Sequence, residues 1–195
     1  PAPPAPPTPM NGGGAPLDLL LDGDVDVAAS SLHELSGSTL SGRPLPMASL
    51  AGRVVVLANV ASRCGFAPPV FTQLAAWHAE FGSRLEIVLY PSSEFGKQEL
   101  PLDEVAAFVA GKGLPSDGGG CTVMNPVELN GAATDPVWRF AKRVYPGDVW
   151  WNFAGVFLIA QRGAVVGRYR CPSQLDALGE KLRALVTTPP SGGLG

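Results

Sequence analysis

The chain is 195 residues long and carries 24 glycines and 20 prolines, nearly a quarter of its length in the two residue types that interrupt regular structure. Against that stand a 46% hydrophobic fraction and only 16% charged residues, too apolar for a chain kept unfolded by charge repulsion. A net charge of −3, with no Lys or Arg before Arg43, offers no electrostatic footprint for nucleic acid, and no apolar run approaches the roughly 18 residues of a membrane span.

The two compositions occupy different places. Six of the first ten residues are Pro, Gly12 to Gly14 follow, and the end from Pro189 to Gly195 is similar. This predicts a flexible extension over 1–30, one domain over 31–187 and a flexible tail over 188–195. A domain of that size buries about two-thirds of its unfolded surface. The acidic stretch from Asp18 to Asp26 reads as a solvated linker rather than a calcium loop. The opening lacks the positive region of a signal peptide, and the chain starts at Pro1 rather than Met, which leaves a soluble protein of cytoplasm or organelle as the expectation.

Val54 to Ala58 is a continuous aliphatic run that suits a strand covered on both faces. Pro68 and Pro69 can open a helix with Val70, Leu74, Trp77 and Phe81 on one face. Leu85 to Tyr90 is a second buried strand, and Pro101 opens a helix that turns Leu102, Val105, Ala106 and Val109 inward. Strand, helix, strand and helix in this order imply a parallel unit with a right-handed crossover. Leu114 to Gly120 is loop by composition, and Cys121 to Leu129 holds a short extended piece. Asp135 and Pro136 cap and open a helix with Val137, Phe140, Ala141 and Val144 inward. Val156 to Ala160 and Ala164 to Tyr169 form a hairpin, and Ser173 N-caps a last helix with Leu175, Leu178, Leu182 and Leu185 inward. Thr39 to Leu50 has room for an extra hairpin. The order is that of an α/β, thioredoxin-like fold with a central mixed sheet flanked by helices.

Cys64, Cys121 and Cys171 lack C-x-x-C spacing, and His33 and His78 are far apart, so neither a disulfide framework nor a metal site is expected. His78, beside an apolar stripe, reads as a surface or half-buried residue. Cys64 falls between a buried strand and the start of a helix, where unpaired N–H groups favour a thiolate. On position alone a buried structural thiol is an equal reading.

Asn59-Val60-Ala61-Ser62-Arg63-Cys64-Gly65-Phe66 resembles the signature of the glutathione peroxidase family. Tyr90-Pro91-Ser92-Ser93-Glu94-Phe95-Gly96-Lys97-Gln98-Glu99 and Trp151-Asn152-Phe153 resemble two further blocks of that family in the same order. Leu129-Asn130-Gly131 and Val165 to Tyr169 also fit, so the resemblance runs from about Leu32 to Val186.

The resemblance implies a thiol-dependent peroxidase that acts on hydrogen peroxide and organic or lipid hydroperoxides, with glutathione or thioredoxin as reductant and no cofactor. Cys64 would be the peroxidatic residue, and the indole of Trp151 and the amide of Asn152 would donate hydrogen bonds to its sulfur. Trp150 and Trp151 are adjacent, and only the resemblance selects Trp151. Glu94 stands where the family has a catalytic Gln. An ionised carboxylate about 4 Å from a thiolate would repel it by about 4 kcal/mol at an effective dielectric near 20. Protonation of Glu94, a swing to Arg63 or Lys97, or service as a base would relieve the conflict. Without relief, the chain would be a peroxidase-like redox sensor or binding module. The resolving Cys of thioredoxin-using relatives is missing, with Val109 and Ala110 near its place, which leaves Cys121 and Cys171 as candidates. The short interval from Asn130 to Trp151 lacks the insertion of tetrameric members and implies a monomer.

Overall fold

The computed structural model describes residues 29–187. Its frame is a six-stranded mixed sheet with β3 (Val54–Val60) and β4 (Leu85–Pro91) at the centre. These two strands run parallel, Val54 opposite Leu85 and Val60 opposite Pro91, and every residue of both is buried. Both faces are covered, which is why both strands read as unbroken apolar runs. Val54, Val56, Ala58 and Ile87 face one apolar cluster with α1 (Ala67–Phe81) and α4 (Leu175–Thr187). Val55, Leu57, Val88 and Tyr90 face a second cluster with α3 (Pro136–Val144).

The crossover from β3 to β4 is α1, with Pro68 and Pro69 in its first turn and Val70, Leu74, Trp77 and Phe81 buried, as the periodicity predicts. After β4, α2 (Leu102–Gly111) buries Val105 and Val109 and sets Phe108 edge-on to Phe71 at 5.3 Å. Leu102, expected inward, is 46% exposed, because the first turn of α2 projects past the covered face. The stretch expected as loop carries a two-residue edge strand, β5 (Asp117–Gly118), antiparallel to β6 (Cys121–Val123). Gly118, Gly119 and Gly120 all have positive φ, so the turn between these strands takes a backbone that only glycine adopts freely. Strand β6 then runs parallel to β4.

The second half is antiparallel. Asp135 caps α3 by accepting the Val137 N–H, and Val137, Trp138, Phe140 and Ala141 are buried. Val144, the last residue of that helix, is 47% exposed rather than inward. Strand β7 (Val156–Ile159) pairs with β3, and β8 (Val165–Tyr169) pairs with β7 as the expected hairpin. Ser173 does not cap α4. Its hydroxyl donates to the Arg170 carbonyl, Gln174 accepts the Arg170 N–H, and the helix starts at Leu175 with Leu178 and Leu182 buried. An N-terminal hairpin is present as β1 (Ser36–Ser38) and β2 (Pro44–Pro46), beginning a few residues earlier than expected.

The predicted 1–30 extension yields at its end, where Ala29 is buried and its carbonyl accepts from Arg143. The rest of that extension, the Asp18-to-Asp26 stretch and the 188–195 tail lie outside the described residues. Among the described residues no helix is long and apolar enough to cross a membrane.

Candidate active site

Cys64 sits in the turn that joins β3 to α1. Its N–H donates to the Ala61 carbonyl at 3.2 Å, and its own carbonyl accepts the Ala67 N–H at 2.9 Å. The side chain is 4% exposed and belongs to the apolar cluster that contains Val60 and Phe153. The loop after β4 braces this turn: Arg63 N–H donates to the Gln98 carbonyl at 2.8 Å, and Glu99 Oε1 accepts both Ser62 N–H at 3.0 Å and Leu100 N–H at 2.8 Å. Glu99 is buried, with no partner for its Oε2. Burial pushes its pKa up, against the pull of its hydrogen bonds to Ser62 and Leu100 and of the Arg63 charge.

The helix start supplies fewer donors than expected. Pro68 and Pro69 have no N–H, and the Ala67 N–H is spent on Cys64 itself. The N–H groups left to face a charge near Cys64 are those of Gly65 and Phe66, neither of which has an acceptor among the described residues.

Trp151 and Asn152 are brought to this turn from the loop before β7, and Asn59 of β3 holds that loop. Asn59 Nδ2 donates to the Trp151 carbonyl at 3.0 Å, its Oδ1 accepts the Gly155 N–H at 2.8 Å, and its carbonyl accepts the Phe153 N–H at 3.1 Å. Gly155 permits the approach, since a Cβ there would lie 2.8 Å from both Trp138 and Val149. Phe153 is held at φ 63°, a strained backbone for a side chain of that size, and is fully buried. Asn152 Nδ2 donates to the Phe95 carbonyl at 3.1 Å and to Gln98 Oε1 at 3.0 Å, so its amide hydrogens are committed there and not to the Cys64 sulfur. Trp151 is half-buried beside Phe95 and crosses Gly96, where a Cβ would come 3.2 Å from Cη2. Its indole makes no hydrogen bond to Cys64 Sγ, so neither expected donor is on the sulfur.

Glu94 is turned elsewhere. It is exposed, its carboxylate accepts the Leu129 N–H at 3.1 Å, and its own N–H donates to Ser92 Oγ. Burial raises its pKa, the Leu129 bond lowers it, and the charges that bear on it are Glu128 and Lys142. The expected swing to Arg63 or Lys97 is replaced by this backbone contact. The residue that bridges the Cys64 turn and Asn152 is instead Gln98, and its neighbour Glu99 braces the turn through the Ser62 N–H. Both stand in the Tyr90-to-Glu99 block, and a Gln-Glu pair just ahead of a proline-opened helix was the available signal.

The other thiols are fixed in regular surroundings. Cys121 lies in β6 opposite Ile87, fully buried, within the stretch where a short extended piece is expected. Burial, then Glu86, pushes its pKa far above the ordinary thiol value. Cys171 is 5% exposed, its N–H donates to the Phe153 carbonyl, and burial pushes its thiol up to about 12. It borders a cleft of about 460 Å³ that also touches Phe66, Trp151 and Asn152.

Comparison with known proteins gives a consistent picture. The glutathione peroxidase family profile matches residues 32–142. The chain is 35% identical to glutathione peroxidase 1, mitochondrial, of Chlamydomonas reinhardtii over 73% of its length and 71% of that protein. It is 31% identical to the glutathione peroxidase-like peroxiredoxin HYR1 of Saccharomyces cerevisiae over 80% of its length and 97% of that protein. The crystal structure of Trgpx in apo form superposes with a TM-score of 0.62 at 24% identity, covering 83% of this chain and 99% of that one, which shows the shared thioredoxin-like fold. With the family profile spanning more than half of the chain, the protein is a thiol-dependent peroxidase and belongs to the glutathione peroxidase family.

Proposed function

We propose that Cys64 is the peroxidatic residue and that the oxidised enzyme is regenerated by an external thiol such as glutathione. The observation that carries this reading is the contrast among the three cysteines. All three cysteines are buried, but Cys64 lies in a turn between strand and helix, braced through Gln98 and Glu99 and close to the Trp151-Asn152 loop, whereas Cys121 is fixed in a strand and burial pushes the Cys171 thiol up.

In the first step the Cys64 thiolate attacks the terminal oxygen of the hydroperoxide. The O–O bond breaks, the alkoxide takes up a proton and leaves as alcohol or water, and the sulfur is oxidised to sulfenic acid. A glutathione thiolate then attacks that sulfur, the S–O bond breaks, the departing hydroxide takes up a proton from solvent and leaves as water, and a mixed disulfide forms. A second glutathione displaces Cys64 and departs as glutathione disulfide. Trp151 and the N–H groups of Gly65 and Phe66 are the donors available to the developing charge, and Gln98 is a positioning residue that ties Asn152 to the Cys64 turn. Glu94, occupied with Leu129, takes no proton in this scheme.

The segment from Asn130 to Val149 is closed on itself, Asn130 Nδ2 donating to the Val149 carbonyl at 2.7 Å and Val149 N–H returning to Asn130 Oδ1 at 2.9 Å, and the short interval from Asn130 to Trp151 supports action as a monomer. Steady-state consumption of hydrogen peroxide and of an organic hydroperoxide, with glutathione and separately with thioredoxin, tests the reading. Turnover with glutathione that is lost in Cys64→Ser is expected. Turnover confined to thioredoxin would overturn the choice of reductant, and Cys64→Ser activity equal to wild type would overturn the peroxidatic assignment.

A further inference from the structure

Glu99 is a buried acid bonded to the turn that carries Cys64, and the peroxide reaction as written gives it no part. Its Oε1 accepts two backbone donors, the N–H of Ser62 at 3.0 Å and that of Leu100 at 2.8 Å. Its Oε2 is buried and has no hydrogen-bond partner among the described residues. A carboxylate here leaves a charged oxygen without a donor, whereas the neutral acid keeps both Oε1 bonds and leaves only a hydroxyl unpaired, the smaller cost. Arg63, exposed in the turn, is the charge that bears on Glu99 and draws it toward ionisation. Glu94 and Lys97 of its own loop, and Asp103 and Glu104 in the first turn of α2, are exposed to solvent. Burial outweighs the Arg63 charge and the hydrogen bonds and raises the Glu99 pKa. The titratable group two residues beyond Ser62 is Cys64 itself.

The same turn must hold the negative charge of a Cys64 thiolate, and it has few donors to hold it with. Pro68 and Pro69 carry no N–H, the Ala67 N–H is spent on the Cys64 carbonyl, and both amide hydrogens of Asn152 go to Phe95 and Gln98. The Ser62 N–H is already given to Glu99. A buried turn so short of donors supports one negative charge far better than two, because like charges held close together each oppose the ionisation of the other. We propose that Glu99 is a positioning residue that serves Cys64 in its neutral form, bracing the turn as an acceptor while leaving the one negative charge to the thiolate, and that its ionised form holds the nucleophile back. The inference rests on Cys64 as the peroxidatic thiol and names a residue that sets the pH range in which that thiol reacts.

The test is the reactivity of Cys64 from about pH 5 to 8 in wild type, Glu99→Gln and Glu99→Met, with iodoacetamide alkylation read on the Cys64 peptide by mass spectrometry. Gln keeps an oxygen acceptor for the Ser62 and Leu100 N–H groups, Met keeps the length with only a weak acceptor, and neither ionises. The readout is the ratio of variant to wild-type rate at each pH, in which groups common to the proteins, Glu94 among them, cancel. The ratio is expected to rise roughly three- to tenfold across this range as wild-type Glu99 ionises and its charge opposes the thiolate. A rise in both variants assigns the effect to the charge, since the two differ in the brace. The kcat/KM for hydrogen peroxide should follow the same trend. A flat ratio, or a rise in only one of the two folded variants, makes Glu99 a structural brace and overturns the proposal. A ratio that falls as pH rises makes the carboxylate a base for the thiol and overturns it as well. Urea midpoints at each pH identify the folded proteins. Hydrogen peroxide turnover in wild type, lost in Cys64→Ser, tests the peroxidatic assignment separately, and the alkylation trend does not depend on it.

Discussion

Asn152 and Gln98 are joined side chain to side chain, Nδ2 to Oε1 at 3.0 Å, while the backbone carbonyl of Gln98 accepts the N–H of Arg63, the residue before Cys64. One residue thus ties the loop that carries Trp151 and Asn152 to the turn that carries the thiol. Glu94, which the resemblance sets at the family's Gln position, is bonded to Leu129 instead.

That arrangement ranks two substitutions. Gln98→Ala removes the brace and is expected to lower kcat/KM for hydrogen peroxide by about tenfold or more, a common cost for a group that orients donors around a reacting centre. Alkylation of Cys64 by iodoacetamide should slow in parallel, which a loss of folded protein would not produce once corrected for the folded fraction. Glu94→Gln should change either rate by less than about threefold, since its carboxylate is committed to a backbone N–H rather than to sulfur. A tenfold gain in Glu94→Gln would restore the repulsion argument that the geometry removes.

Asn59 is the anchor of the same loop from the sheet side. Asn59→Ala strands the buried Gly155 N–H and deprives the Trp151 carbonyl of its donor, and about 3 kcal/mol of stability should be lost. For a domain of this size that lowers Tm by roughly 6–12 °C. Thermal unfolding measures it, and a fall of no more than a degree or two would mean the loop is held by other contacts.

Glu99 makes stability depend on pH. Its folded-state pKa is raised, chiefly by burial, so the native state binds this proton more tightly than the unfolded state does. Stability contributed by the protonated form is full below the ordinary glutamate value and is lost as pH rises from there through the raised value. Glu99→Gln cannot ionise, so its stability relative to wild type should increase across that window and level off above it. Glu94 and Asp135, whose pKa values are also raised by burial, are common to both proteins and cancel in the difference. Urea midpoints at several pH values from about 4 to 8 give the curve, and a pH-independent difference would contradict the assignment.

The buried thiols should not resolve Cys64. Cys121→Ser with Cys171→Ser is expected to retain glutathione-supported turnover, and peroxide-treated wild type without reductant should show over-oxidised Cys64 by peptide mass spectrometry. A stoichiometric disulfide from Cys64 to either residue would contradict this.

Much of the fold was legible because both central strands are buried on both faces and both crossover helices announce themselves by proline starts. The misreadings share a cause. Leu102, Val144 and Ser173 sit at helix ends, where the periodic pattern continues after the covering layer stops. The Cys64, Trp151 and Asn152 blocks were visible as residue types, but where a side chain spends its hydrogen bonds is decided by long-range packing. Nothing in the linear order shows that Asn152 points to Gln98 or that Glu94 points to Leu129. The two prolines after Phe66 did carry their message in the sequence, since the loss of N–H groups at the helix start follows from their identity alone.

Steady-state hydroperoxide consumption supported by glutathione, compared among wild type, Cys64→Ser and the Cys121→Ser/Cys171→Ser double variant, addresses the central assignment most directly. Turnover that is near wild type in the double variant and absent in Cys64→Ser is the predicted result. Equal activity in Cys64→Ser and wild type, or loss of activity in the double variant while it remains folded, would contradict a single peroxidatic thiol served by an external reductant.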